Sequence, residues 1–228
     1  MLGTLANVAA IIAGSLVGLV FRGKISEKYN QTIIQAISLG VILIGLKSAF
    51  KCDDFILILI SLALGSLVGE LGKIELRLEN VGEWLEEKFS KKEGGFAEGF
   101  VTTSLLYCVG AMAIVGSLES GLTGNHSTLF AKSTLDGIAA VIFSSTMGIG
   151  VLFSSVSVLL YQGTITLAAA YVKPFLVPEV ISQMSSVGGL LIVGLGINML
   201  GGHKIKVGNM LPAVFIPLIY YMGMQILV

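Results

Sequence analysis

Apolar residues run along this chain in stretches of about twenty, the length that crosses a bilayer core as a helix, and short polar or charged segments separate them. Uninterrupted apolar length predicts helices near Thr4–Phe21, Thr32–Phe50, Phe55–Gly72, Phe96–Leu118, Thr128–Gly150, Val151–Val172, Ile181–Leu200 and Val207–Val228. The fold class this implies is all-α, a polytopic transmembrane helix bundle of about eight spans. Seven is the alternative, because no charged residue follows Asp136 before Lys173, and only Gly148, Gly150, Ser154 and Ser155 offer a turn. Pro212 and Pro217 predict a kink in the last span, since proline removes a backbone donor and crowds the preceding turn.

One segment has a different pattern. Ile74, Leu78, Val81, Leu85 and Phe89 recur at helical spacing while Glu75, Glu79, Glu83, Glu86 and Glu87 take the other faces, which predicts an amphipathic cytoplasmic helix over 74–92. Such a helix either braces the inner ends of the bundle or docks a partner. Flanking it, Gly40-Val-Ile-Leu-Ile-Gly45-Leu46 and Gly189-Leu-Leu-Ile-Val-Gly194-Leu195 match at an offset of 149 (189 − 40). The domain reading is therefore a first three-helix repeat at 1–73, the amphipathic helix and linker at 74–95, a central two-helix unit at 96–150, and a second three-helix repeat at 151–228. On eight spans the two repeats are inverted, an arrangement common in transporters.

Composition agrees with the pattern. Of 228 residues 54% are hydrophobic and 12% charged, with 29 glycines and a mean hydropathy of +0.91, which excludes an ordinary soluble domain. Lys plus Arg and Asp plus Glu are both 14, so net charge offers no attraction to nucleic acid. Distribution is more informative. Lys47, Lys51, Lys132 and Lys173 fall on one side of the eight-span topology and the other ten basic residues on the opposite side, which places both termini outside. Arg22 follows the first apolar stretch instead of preceding it, so that span is expected to remain in the mature protein. Cys52 and Cys108 form no Cys-x-x-Cys or Cys/His cluster, and no Walker-type loop or triad spacing occurs. Neither a metal, nor a cofactor, nor enzymatic activity is expected.

Candidate chemistry lies in polar groups placed where lipid is the solvent. A charge in hydrocarbon costs a few kcal/mol, so an intramembrane acid is a functional candidate unless paired or near an interface. Asp136 is the sharpest case, with Lys132 four residues earlier on the same helical face. Glu98 stands at the start of the fourth span, one turn before Thr102. Ser133, Gly137, Ala140, Ser144 and Gly148 form a narrow stripe of small residues that either packs a helix or lines an aqueous path, with Ser144 the hydroxyl of interest. Asn7, Gln162 and Asn198 carry amides that either join helices or offer carbonyl oxygens to a dehydrated cation. The pentapeptide Gly-Ser-Leu-Val-Gly at Gly14–Gly18 and Gly65–Gly69 is a close-packing signal through which assembly into a homo-oligomer is expected.

The stretch Glu98-Gly-Phe-Val-Thr-Thr-Ser-Leu-Leu-Tyr-Cys108-Val-Gly110, then Lys132-Ser-Thr-Leu-Asp136-Gly137, Gly148-Ile-Gly-Val-Leu-Phe-Ser154 and Tyr161-Gln162-Gly163, resembles the YqgA/YdfK-type family of uncharacterised bacterial membrane proteins. The resemblance spans essentially the whole chain and implies a multi-pass protein of the bacterial inner membrane. No site residue is carried over from it. The residues themselves support a transporter or channel for an ion or small polar solute, with Asp136, Lys132, Glu98, Thr102, Ser144, Gln162, Asn7 and Asn198 along its pathway. A non-transporting scaffold or sensor, docking a cytoplasmic partner through 74–92, is the alternative.

Overall fold

A computed structural model describes residues 1–22, 27–78, 80, 84, 96–108, 111–201 and 204–227. Every regular element among them is helical. In chain order the main ones are α1 (Leu2–Phe21), α2 (Glu27–Ala49), α3 (Phe55–Gly72), α4 (Phe96–Cys108), α5 (Ala111–Leu122), α6 (Ser127–Met147), α7 (Gly150–Leu167), α8 (Pro178–Met199), α9 (Val207–Met210) and α10 (Ile216–Leu227), with a single turn at Ala169–Val172 and a 3-10 helix at Leu211–Phe215 besides. Most of the predicted amphipathic helix lies outside the described residues; its beginning, 74–78, is helical.

The helices are built inside-out relative to a soluble core. Along α1 the buried positions are Gly3, Thr4, Asn7, Ile11, Gly14, Ser15 and Gly18, while Leu2, Leu5, Leu16, Val17 and Val20 are exposed. On α3, Ser61, Gly65 and Gly69 face inward, and Ile56, Leu59, Leu64, Leu67 and Leu71 outward. Water would penalise such faces, whereas lipid accepts them, and small inward residues let backbones approach closely. Six helices are long and apolar enough to cross a membrane, and α4 with α5 makes a seventh if this pair, bent by 59°, is one span. The predicted fourth span is thus broken. The predicted fifth is present as α6, whose 21 residues suffice in length but include Lys132, Asp136 and seven hydroxyls, so it is too polar for that count.

The chain forms two compact units, the first of Met1–Ile33, Leu78–Cys108 and Met112–Tyr171. Within it, α6 runs in the same direction as α1: Gly3 abuts Leu129, Gly14 abuts Gly137 and Ala140, Gly18 abuts Val141 and Ser144, and Arg22 lies over Gly148. The seam is so tight that a Cβ added to Gly14 would stand 2.2 Å from the Gly137 carbonyl oxygen. Opposite in direction is α7, with Thr166 near its end against Thr4 near the start of α1, Oγ1 to Oγ1 3.4 Å. The chain therefore reverses between α6 and α7, at Gly148, where φ of +83° requires glycine. Alongside α7 in the same direction runs α4, joined by Phe96 set at a tilt against Phe153 (centroids 5.2 Å, planes 57° apart) and by Ser104 to Ser157 (2.9 Å).

The second unit comprises Ile34–Arg77, Val109–Ala111 and Val172–Val228. Its centre is α8, opened by Pro178 in its first turn and 78% buried over its most apolar window. α2 packs against it in the opposite direction, Gly45 on Gly189, Ser48 O accepting from Ser186 Oγ (3.3 Å), and Lys51 O accepting from Ser182 Oγ (2.8 Å). α3, capped at its start by the Asp54 carboxylate accepting from Leu57 N (3.1 Å), runs opposite to the last span, with Gly65 on Ala213 and Gly69 on Asn209. That last span changes to a 3-10 helix over Leu211–Phe215, which holds Pro212 and ends two residues before Pro217, because neither proline has an N–H for the α-helical bond.

Candidate functional site

Helical spacing alone sets Lys132 and Asp136 on one face of α6, and the fold then closes that face with α1. Lys132 Nζ donates to Asp136 Oδ1 at 2.9 Å and stands 2.8 Å from Oδ2, both side chains only 9% exposed. From α1, Asn7 Nδ2 donates to the same Oδ2 at 2.9 Å. Asp136 is the tenth residue of α6, about 14 Å along it at 1.5 Å per residue. The carboxylate is therefore at mid-helix depth. It is tolerated there because an ammonium neutralises it and an amide adds a donor without a net charge.

Around this pair lie polar groups with no partner. In the antiparallel register that sets Thr4 against Thr166, Gln162 lies one turn back along α7 and so towards Asn7 on α1, and Gly163 has the Met1 side chain as its neighbour. Gln162 is fully buried, and neither Oε1 nor Nε2 has a hydrogen-bond partner among the described residues. Asn7 Oδ1 and Tyr107 Oη are likewise buried without partners. Tyr107 and Cys108 are in the last turn of α4, one turn beyond Ser104, whose bond to Ser157 sets the level of this turn near Gln162 of α7. An unpaired buried polar group costs roughly 1–3 kcal/mol, and in a tightly packed bundle such groups rarely cluster.

Of the sequence-derived candidates, the structure joins Asp136, Lys132 and Asn7 directly and sets Gln162 on the same level. The others have different surroundings. Ser144 donates to the Ala140 carbonyl of its own helix and is sealed under Gly18, so the small-residue stripe of α6 is a packing seam with α1. Thr102 is buried within α4, and Glu98 is exposed in the first turn of that helix, at the end where Gly99 meets Met147. Asn198 clamps the loop after α8, donating to Ile205 O (2.8 Å) and accepting from Ile205 N (2.7 Å). Both Gly-xxx-Gly faces are covered from within the chain, Gly14 and Gly18 by α6 and Gly65 and Gly69 by the last span, so they are not available as assembly surfaces.

Three groups were not legible as site or clamp residues in the sequence. Tyr107 carries a hydroxyl inside an apolar run and would be flagged by the same reasoning as Asn7. Glu119 reads as a solvated span end, but its Oε2 accepts from Thr128 Oγ1 at 2.7 Å, one turn from Lys132. Asn209 ties α3 to the last span: its Nδ2 donates to Glu70 Oε2 (2.6 Å) and its Oδ1 accepts from Glu75 N (2.7 Å), while Glu70 also pairs with Lys206 (3.0 Å). Among the described residues no three His, Cys, Asp or Glu side chains group as metal ligands.

Comparison with known proteins gives the chain relatives of its own length. It matches the family described as "Protein of unknown function (DUF554)" over residues 2–222. It is 34% identical to the "Uncharacterized membrane protein YdfK" of Bacillus subtilis (strain 168) and 29% identical to the "Uncharacterized protein YqgA" of Escherichia coli (strain K12). Each alignment covers 221 residues, 95% of this chain and 94% of the relative. No solved structure matches.

Proposed function

The chain belongs to the DUF554 family, and from that premise we propose that this integral membrane protein moves an ion or small polar solute across the bacterial inner membrane. The observation that carries the reading is the Asp136–Lys132 pair held by Asn7 at mid-helix depth, in a chain that also has the bent helix pair α4 and α5. Intramembrane ionisable groups mark pathways, and discontinuous helices are where transporters expose backbone polar groups to a substrate. In this conformation the pair is closed. Transport then requires Lys132 to leave the carboxylate, so the pair is a gating element and not an open lining.

The proposed duplication supports the same reading. If 1–73 and 151–228 are equivalent, α1 corresponds to α7, α2 to α8, and α3 to the last span. Each of these pairs packs within one unit and runs antiparallel, the relation an inverted repeat produces. Both termini are proposed to lie outside, on the distribution of basic residues.

Flux into proteoliposomes tests the proposal. Asp136→Asn is expected to reduce flux of the transported species by tenfold or more, roughly the effect of removing a few kcal/mol of charge stabilisation. Undiminished flux in that variant removes the pair from the mechanism, and absence of flux for alkali cations, protons and small polar solutes in the parent protein overturns transport altogether.

A further inference from the structure

We propose that Asp136 anchors a binding site for a monovalent alkali cation and that Lys132 is its tethered competitor, exchanging between Asp136 and Glu119. The inference rests on the transport reading and specifies its substrate class. It starts from oxygens that are buried without hydrogen-bond partners among the described residues: Asn7 Oδ1, on the amide that binds Asp136, and Gln162 Oε1 and Tyr107 Oη, which helix register (Thr4 on Thr166, Ser104 on Ser157) brings towards the same level. One carboxylate with neutral amide and hydroxyl oxygens suits a singly charged hard cation, whereas a divalent ion of this kind ordinarily gathers more carboxylates. Charge sets a further condition. With Lys132 in place the pair is neutral, so a cation enters at no net change of buried charge only as the ammonium departs.

Lysine can make that departure and aspartate cannot. Lys132 is the sixth residue of α6, about 8 Å along it from Ser127 at 1.5 Å per residue, within reach of the helix end for a four-carbon stem. A second carboxylate waits in that direction. Thr128, Lys132 and Asp136 succeed one another at steps of four on α6, and Glu119 is bound to Thr128 at 2.7 Å. Lys132 thus stands between two acids, one at mid-helix depth with Asn7 and one at the end from which α6 starts. Movement towards Glu119 frees the Asp136 carboxylate on the side of Met1, because α1 and α6 start together. Cation access is accordingly assigned to that end.

Thermal unfolding of the full-length protein in detergent, titrated with NaCl or KCl at ionic strength held constant with choline chloride, tests the assignment. Removing a competitor that holds the site for nine-tenths of the time tightens apparent binding about tenfold, so Lys132→Gln is expected to shift the Na⁺ or K⁺ midpoint by about that factor. Lys132→Arg, which keeps a competitor, is expected to stay near the parent value, and Asp136→Asn to lose the response. Should Lys132→Gln not fold, Glu119→Gln serves instead: with its alternative partner gone Lys132 stays on Asp136, and the midpoint is expected to weaken about threefold. A response to Na⁺ and K⁺ no different from choline in the parent and variants overturns the site. An unchanged midpoint in whichever of Lys132→Gln and Glu119→Gln folds overturns the lysine exchange. Asp136-dependent flux without alkali-cation binding would leave transport standing and remove this site, while binding without flux would do the reverse.

Discussion

At the residue scale, two glycines of the same type have opposite burdens. Gly14 meets the Gly137 carbonyl across the α1–α6 seam, and backbone cannot retreat as a flexible side chain can. Gly14→Ala is therefore expected to destabilise the protein by about 1–3 kcal/mol, the usual range for overpacking. Gly40 has nothing within 4 Å, and Gly40→Ala is expected to stabilise α2 by up to about 1 kcal/mol through helix propensity. Melting in detergent separates the two, and equal shifts would contradict the seam. Gln162 offers a sharper contrast, because both ends of its amide are buried without partners. Replacing it by leucine is expected to raise the melting temperature, removing a penalty of about 1–3 kcal/mol, while weakening the alkali-cation response. A lower melting temperature would mean that the amide is satisfied in the folded protein.

At the element scale, the second unit is held by a clamp at the end of α3. Asn209 bonds Glu70 and the Glu75 backbone, and Gly208 N donates to Glu75 Oε2 at 2.6 Å, so the start of the last span is fixed to the end of α3. Asn209→Ala is expected to cost about 1–3 kcal/mol, because partners on a part-buried joint are left unpaired. Thermal unfolding and protease sensitivity in the segment after Gly72 measure it, and unaltered behaviour would show that the Lys206–Glu70 pair suffices. The proline-bounded 3-10 turn belongs to this scale too. Its place was readable from Pro212 and Pro217, since a missing donor acts locally whatever the neighbours are.

At the scale of the whole molecule, the proposed orientation in the membrane rests on the distribution of basic residues. With both termini outside, Thr123→Cys is expected to label from the outside and Lys204→Cys from the inside by a membrane-impermeant maleimide, in a background lacking Cys52 and Cys108. Reversed labelling would invert the topology, and labelling of both from one side would require a different number of crossings. The count is sensitive to α6, whose polar content lowers its apolarity although it is long enough to span.

The amino-acid order was sufficient for the membrane environment and for the pairing of Lys132 with Asp136, because hydrophobic run length and the four-residue helical step act locally, but not for the break that divides the fourth predicted span into α4 and α5. It could not decide what covers a face. Glycine pairs mark close packing within a bundle and also admit assembly between chains, and the fold covers Gly14, Gly18, Gly65 and Gly69 from within this one. The Asn7 amide, the level of Gln162 and the Glu119–Thr128 bond arose only from tertiary packing, whereas the reversal at Gly148 was among the turns the glycines and serines of that stretch offered. Lipid gives apolar faces no preference among partners, so the choice fell to close backbone fit and to a few buried polar contacts between residues more than a hundred positions apart.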